Sequence, residues 1–139
     1  MTENGIIRKY YGLIEMQLYY KYFIFNNKKE GEYKSYYENG QLFKICNYKN
    51  NKKEGGNKHY FRNGNLMELC NYKNNWLEGK YILYSDNGQL EVICNYKNDK
   101  KEGKYISYSD NGESWKIYKY KNGKMEKQKD NVNSYYKNN

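Results

Sequence analysis

At 139 residues the chain has one domain's length, and it carries 23 Lys, 22 Asn and 20 Tyr but no Ala and no Pro. Its 25 basic against 16 acidic residues leave a net charge of +9. No run comes near ~18 apolar residues, which excludes a membrane-spanning helix, and residues 1–11 lack the basic-then-apolar layout of a secretory signal, so a cytoplasmic protein is expected.

Ile, Leu, Val and Phe together number only 23, so a deep aliphatic core cannot form. Tyrosine has to supply the missing apolar area, which predicts a folded but thinly cored protein. Lys, Asn, Tyr and Ile share A/T-rich codons, so their abundance alone says little about function.

In chain order, residues 1–29 form an N-terminal segment. Gln17-Leu18 and Asn26-Asn27-Lys28-Lys29 stand 24 residues before Gln41-Leu42 and Asn50-Asn51-Lys52-Lys53, which marks a degenerate repeat over about residues 8–29. Residues 30–125 then read as four gapless units of 24: EGEYKSYYENGQLFKICNYKNNKK, EGGNKHYFRNGNLMELCNYKNNWL, EGKYILYSDNGQLEVICNYKNDKK and EGKYISYSDNGESWKIYKYKNGKM. Glu30, Glu54, Glu78 and Glu102 head the units, each followed by Gly. Tyr36/Tyr60/Tyr84/Tyr108, Tyr48/Tyr72/Tyr96/Tyr120 and Lys49/Lys73/Lys97/Lys121 recur in every unit. Glu126 opens a further copy that fails at once, and 126–139 reads as a polar, frayed tail.

Within a unit, Glu38-Asn39-Gly40 and its equivalents are hairpin turns, because Asn and Gly tolerate positive φ. The Asn-Asn-Lys-Lys-Glu-Gly stretch makes the second connection. Runs such as Tyr81-Ile82-Leu83-Tyr84 and Leu90-Glu91-Val92-Ile93-Cys94 are β-branched and aromatic, and too short for helices. The expected fold is therefore all-β: an open meander of about five stacked antiparallel β-hairpins in a single-layer, elongated sheet. A three-residue loop would set Tyr36 opposite Leu42 and Tyr33 opposite Ile45. One face then collects Tyr36, Leu42, Cys46 and Tyr48, and the other Tyr33, Phe43 and Ile45.

Cys46, Cys70 and Cys94 are spaced by one period each. Equivalent positions two strands apart lie about 9.5–10 Å from one another, beyond the ~7 Å between Cα atoms that a disulfide bridges. The column is read as a slot for a small apolar side chain. No CxxC or Cys/His spacing supports zinc, and no phosphate loop or calcium loop appears, so no metal or cofactor is expected.

With these residues laid out, the unit resembles the MORN repeat, in the variant that reads G-x-Y-x-x-Y-Y-x-N-G-x-L-x-x-x-x-x-Y-K-N-G-K-x-x-G. Gly79-Lys80-Tyr81-Ile82-Leu83-Tyr84, Asn87-Gly88-Gln89-Leu90 and Asn95-Tyr96-Lys97-Asn98 carry the likeness. Asn57 replaces the first Tyr in unit two, Ser114 replaces the Leu in unit four, and only Asn122-Gly123 keeps the second Asn-Gly. The resemblance implies an open sheet of hairpins, binding or scaffolding without catalysis, and a setting of the antitoxin-like bacterial or large DNA virus type, which would mean host cytoplasm if viral. The aromatic cell-wall-binding repeats also make hairpins of this period. They depend on Trp cages, whereas Trp76 and Trp115 occupy non-equivalent positions here.

Candidate chemistry is sparse. The single histidine, His59, stands in a column filled elsewhere by Ser35, Leu83 and Ser107, so it reads as a surface substitution and not as a general base. The Glu column reads as an offset to neighbouring lysines. Lys49, Lys73, Lys97 and Lys121 form a row that suits an anionic membrane surface or an acidic protein, with nucleic acid disfavoured because Arg8 and Arg62 are the only arginines. Tyr36, Tyr60, Tyr84 and Tyr108 are candidate anchors for a protein partner. The expected function is a non-enzymatic repeat scaffold that binds another protein, with the lysine row as the alternative contact.

Overall fold

A computed structural model describes residues 2, 4–11, 17–112 and 114–126, with the side chains of 11, 17, 114 and 115 outside that description. Of the expected tail over 126–139, residues 127–139 lie outside the described residues. The strands are β1 (Gly5–Tyr11), β2 (Gln17–Phe25), β3 (Lys28–Tyr36), β4 (Leu42–Lys49), β5 (Lys52–Tyr60), β6 (Leu66–Lys73), β7 (Trp76–Leu77), β8 (Gly79–Tyr84), β9 (Leu90–Lys97), β10 (Lys100–Lys101), β11 (Gly103–Tyr108), β12 (Ser114–Lys121) and β13 (Lys124–Met125). They make one antiparallel sheet in sequence order, open between β1 and β13, with the two short strands β7 and β10 pairing β6 and β9. Among the described residues there is no helix.

The hairpins arise from two kinds of turn. At one end, Asn50 and Asn51 take φ of 50° and 66°, as do the equivalent pairs, and Lys49 pairs directly with Lys52. This is a two-residue turn with both centres left-handed, the geometry that follows the natural twist of the strands and that Asn and Gly tolerate best. The second connection is thus only two residues long, and Lys52-Lys53-Glu54-Gly55 belongs to β5. At the other end, Gly40 N–H donates to Tyr37 O at 2.9 Å and Tyr37 N–H to Gln41 O at 2.8 Å, closing the expected three-residue loop with Gly40 at φ 82°. The Asn39 side chain accepts from Gln41 N–H at 3.1 Å.

Tyr36 does pair with Leu42, but Tyr33 pairs with Cys46 and not with Ile45. The register shifts by one between Ser35 and Tyr36, a bulge beside the loop that moves every residue beyond it. Tyr33 therefore shares the cysteine face, contrary to the expected assignment. A larger bulge sits at each Glu-Gly pair: Tyr22 pairs with Tyr33 and Phe23 with Glu30, so Gly31 and Glu32 have no opposite number in β2.

Each face carries one dominant rung. On the first face Tyr22, Tyr33, Cys46, Asn57 and Cys70 stand directly opposite one another on successive strands, followed by the pairs Tyr81–Cys94 and Tyr105–Tyr118. In two of the hairpins, at Tyr33–Cys46 and Tyr81–Cys94, tyrosine on one strand thus flanks a small side chain on the other. Cys46, Cys70 and Cys94 are free thiols exposed by 2% or less, so the column is a packing slot as expected. Tyr33–Tyr48, Tyr81–Tyr96 and Tyr105–Tyr120 repeat the same edge-on contact, with ring centroids 5.9, 5.5 and 5.8 Å apart. The second face carries Ile45, Lys58, Leu69, Ile82, Ile93, Ile106 and Ile117 in one line.

The degenerate first unit pairs two strands, β1 and β2, and begins earlier than expected. Gly5 pairs with Ile24 as Gly31 pairs with Tyr48, and Asn4 Oδ1 accepts from Asn26 N–H at 2.6 Å where Glu30 accepts from Asn50 N–H.

Candidate functional site

The glutamate column has a structural task that the sequence does not announce. Its carboxylates accept from the backbone N–H of the next turn: Asn50 to Glu30 at 2.8 Å, Asn74 to Glu54 at 2.8 Å, Asn98 to Glu78 at 3.0 Å and Asn122 to Glu102 at 2.8 Å. The bulge and the left-handed glycine turn each carboxylate toward that turn. The second turn residue adds two bonds: Lys29 N–H donates to Asn51 Oδ1 at 2.7 Å, and Asn51 N–H donates to Lys29 O at 3.1 Å. Among the described residues none of the four glutamates forms an ion pair with a lysine, and this ladder is what their carboxylates hold.

The expected lysine row and tyrosine anchors are placed apart. Lys49, Lys73, Lys97 and Lys121 are all exposed and close the strands at the tight turns, opposite Lys52, Trp76, Lys100 and Lys124. Tyr36, Tyr60 and Tyr84 are half-buried at the other end of the hairpins, opposite Leu42, Leu66 and Leu90, with Tyr108 opposite Ser114. A different set of lysines meets the rings. The Lys29 ammonium lies 4.7, 5.4 and 5.1 Å from the ring centres of Tyr22, Tyr33 and Tyr48. Lys53 lies 4.5 Å from Tyr72, and Lys101 4.5 and 5.1 Å from Tyr105 and Tyr120.

One group of side chains breaks the repeat. Asn57 stands where the other units have Tyr33, Tyr81 and Tyr105, His59 where they have Ser35, Leu83 and Ser107, and Glu68 where they have Lys44, Val92 and Lys116. These three departures meet. His59 pairs with Glu68 across the hairpin, its Nδ1 3.2 Å from Glu68 Oε1. Asn57 Nδ2 reaches Glu68 Oε1 and Cys70 Sγ at 3.4 Å each, and the Tyr81 hydroxyl donates to Glu68 Oε2 at 2.8 Å. Phe43 stacks on the His59 ring at 5.5 Å. His59 is thus half-buried and bonded, not the surface substitution expected of it. The Asn57 amide oxygen, in a residue only 1% exposed, has no hydrogen-bond partner.

The electrostatics are those of a staple. The His59 hydrogen bond, helped by Tyr81, holds the Glu68 carboxyl down at about 2 against the upward pull of burial. Burial, with the Glu68 charge beside it, pushes the Cys70 thiol up to about 12, so it is a poor nucleophile. Burial also raises the Tyr81 hydroxyl, and burial with the nearby Lys53 lowers Lys44. Held at about 2 by two donors, the Glu68 carboxylate is a weak base near neutral pH. Among the described residues no three His, Cys, Asp or Glu side chains gather as a metal site. The signal that could have revealed this cluster was available: three columns change in one unit, and the strand register brings them together.

The recurring Tyr33–Tyr48 contact, the glutamate ladder and the Asn-Gly loops all repeat with one period, and the MORN repeat variant matches residues 29–50, 53–74, 77–98 and 101–122. The chain belongs to the MORN repeat variant family. No curated protein matches it. The match covers the repeats of this MORN protein and leaves out the first hairpin, and it does not extend to an antitoxin-like or large DNA virus setting. MORN repeats are consistent with a scaffold module, and among the described residues no helix is long and apolar enough to cross a membrane.

Proposed function

We propose that this MORN protein is a non-enzymatic scaffold of the cytoplasm that binds another protein across its open sheet. The reading rests above all on one observation: the sheet has a single layer, so that among the described residues only Cys46, Cys70, Ile82 and Cys94 are buried hydrophobics while Phe23, Phe25, Phe43 and Trp76 remain exposed. A surface this extended, set with aromatic anchors, suits a protein partner better than a small substrate. The Tyr36, Tyr60, Tyr84 and Tyr108 column and the lysine row are its candidate contacts.

Affinity capture from native cytosol tests this, followed by calorimetry with the captured partner in purified form. Stoichiometric binding of one protein supports the reading. A second reading takes its support from the exposed row of Lys49, Lys73, Lys97 and Lys121: association with an anionic membrane surface. Co-sedimentation with acidic vesicles that fades with salt, without a protein partner, would replace the first reading by the second. The antitoxin-like or viral setting suggested by the repeat type enters as part of this proposal, and the identity of the captured partner decides it.

A further inference from the structure

The first hairpin departs from the repeats in a directed way. On the second face, the position held by Asn47, Asn71, Asn95 and Lys119 is Phe23, and the position held by Lys49, Lys73, Lys97 and Lys121 is Phe25. Where four units present amide and ammonium groups to water, this one presents two aromatic rings, 40% and 51% exposed, beside Ile6 at 49%. An apolar patch in columns that are otherwise polar is a surface built to be covered.

Three further observations fall on the same hairpin. A cavity of about 330 Å³ opens between Ile6, Phe23 and the Glu30-Gly31-Glu32 bulge, with Lys21 and Lys34 at its rim. The rung crossing this face begins with Arg8, Lys21 and Lys34 directly opposite one another on three adjacent strands. Like charges so placed repel. Among the described residues the one carboxylate that answers them is Glu32, 2.7 Å from Lys34. Finally, β1 ends the sheet, and among the described residues no strand pairs with its outer edge. Half of its backbone N–H and C=O groups therefore stand ready for another strand.

We propose that the β1–β2 hairpin docks an extended, acidic segment of a partner protein. The segment adds as a strand to the free edge of β1, lays an apolar side chain over Ile6 toward Phe23, and two residues along on the same face sets a carboxylate against Arg8 and Lys21. Backbone pairing supplies the affinity, and the cavity with the cation row supplies the selectivity. A second copy of this chain is the wrong occupant. In the register by which β4 meets β5, β12 of a neighbour would set Lys116 against Lys9 and Ile117 against Arg8, and β1 fully overlapped with a second β1 would set Arg8 against Arg8. The proposal rests on the scaffold reading and narrows it to one hairpin.

The probe is a nine-residue peptide in which glutamate and phenylalanine alternate along one face of the strand, with threonine at every position between them, labelled and titrated with the full chain by fluorescence anisotropy. Saturable binding is expected, weakening as salt rises. Phe23→Asn, which installs the repeats' own residue, and the pair Arg8→Glu with Lys21→Glu should each weaken it at least tenfold. Lys97→Glu should leave it within twofold. Hydrogen exchange of the β1 amides should slow on binding, a readout that mere surface attraction would not move. No binding, equal loss with Lys97→Glu, or unprotected β1 amides would overturn the proposal. So would self-association that Phe23→Asn abolishes, which would assign the patch to a second copy. If a captured protein partner binds the Phe23→Asn chain undiminished, this inference fails while the scaffold reading stands.

Discussion

The Glu54 carboxylate accepts a hydrogen bond from the backbone N–H of Asn74, 2.8 Å away and 20 residues further along the chain. The bond runs from the first strand of a repeat to the tight turn at that repeat's end, which leads into the next, so it ties successive tight turns together. Sheet pairing alone would allow the tight turns to splay. The glutamate, the left-handed glycine that turns it, and the second turn residue together fix the stacking of each turn on the one before it.

Removing one rung should loosen the joint. Glu54→Ala leaves Asn74 N–H without its acceptor and should lower stability by about 1 kcal/mol, while Glu54→Gln, which keeps an amide oxygen in reach, should cost less than half of that. Urea unfolding of the three chains measures this. Equal midpoints for Glu54→Ala and the parent would show that the carboxylate merely rests against the turn.

The turn residue itself separates two contributions. Asn75 has φ 71° and accepts from Lys53 N–H at 2.6 Å, whereas Gly123 in the equivalent place keeps only the backbone bond to Lys101 O at 2.9 Å. Asn75→Gly should therefore lose the side-chain bond alone. Asn75→Ala also incurs the left-handed penalty and should be about 1 kcal/mol less stable than Asn75→Gly. Thermal melts of the pair decide it, and an alanine chain as stable as the glycine chain would mean that this turn changes conformation.

How far these features could be read beforehand depended on whether they were periodic or relational. The hairpins, the Asn-Gly loops and the cysteine slot all repeat every 24 residues, and identical residues at identical spacing need no coordinates. Tyr33 pairs with Cys46 and not with Ile45, because a bulge beside the loop adds one residue that no residue type announces. Glu-Gly looked like part of a turn, since a left-handed glycine serves a bulge and a turn equally well. His59 and Glu68 are nine positions apart in sequence and become neighbours only once β5 and β6 are in register. The Phe23 and Phe25 substitutions were legible as departures from their columns, but that both face one side with Ile6 was not.

The departures at Asn57, His59 and Glu68 should behave as a unit. Asn57→Tyr restores the ring of the other repeats in a place already filled by Glu68 and its partners, and overpacking should cost about 1–3 kcal/mol. Adding His59→Leu and Glu68→Val completes the third unit's set of Tyr81, Leu83 and Val92. That chain should recover to within about 1 kcal/mol of the parent, because the buried carboxylate and the unpaired Asn57 oxygen are removed together. Unfolding free energies of the single, double and triple variants test the coupling. Additive losses across the series would show that the three residues drifted independently.

Acid should find the same cluster. The Glu68 carboxyl is lowered from its ordinary 4.5 to about 2, chiefly by the hydrogen bond from His59. A carboxyl whose folded value is depressed contributes stability above its unfolded value, and that contribution drains away as pH falls toward the folded one. For Glu68 the window runs from 4.5 down to about 2. Glu68→Gln removes the charge at every pH, so the parent should be the more stable of the two near neutrality and the gap should narrow as the buffer is taken through this window. Denaturation midpoints of both chains, followed from about pH 6 to about pH 3, measure it. A gap that stays constant over that range would mean that His59 and Tyr81 bind the carboxyl no better than water does, and the staple would lose its electrostatic basis.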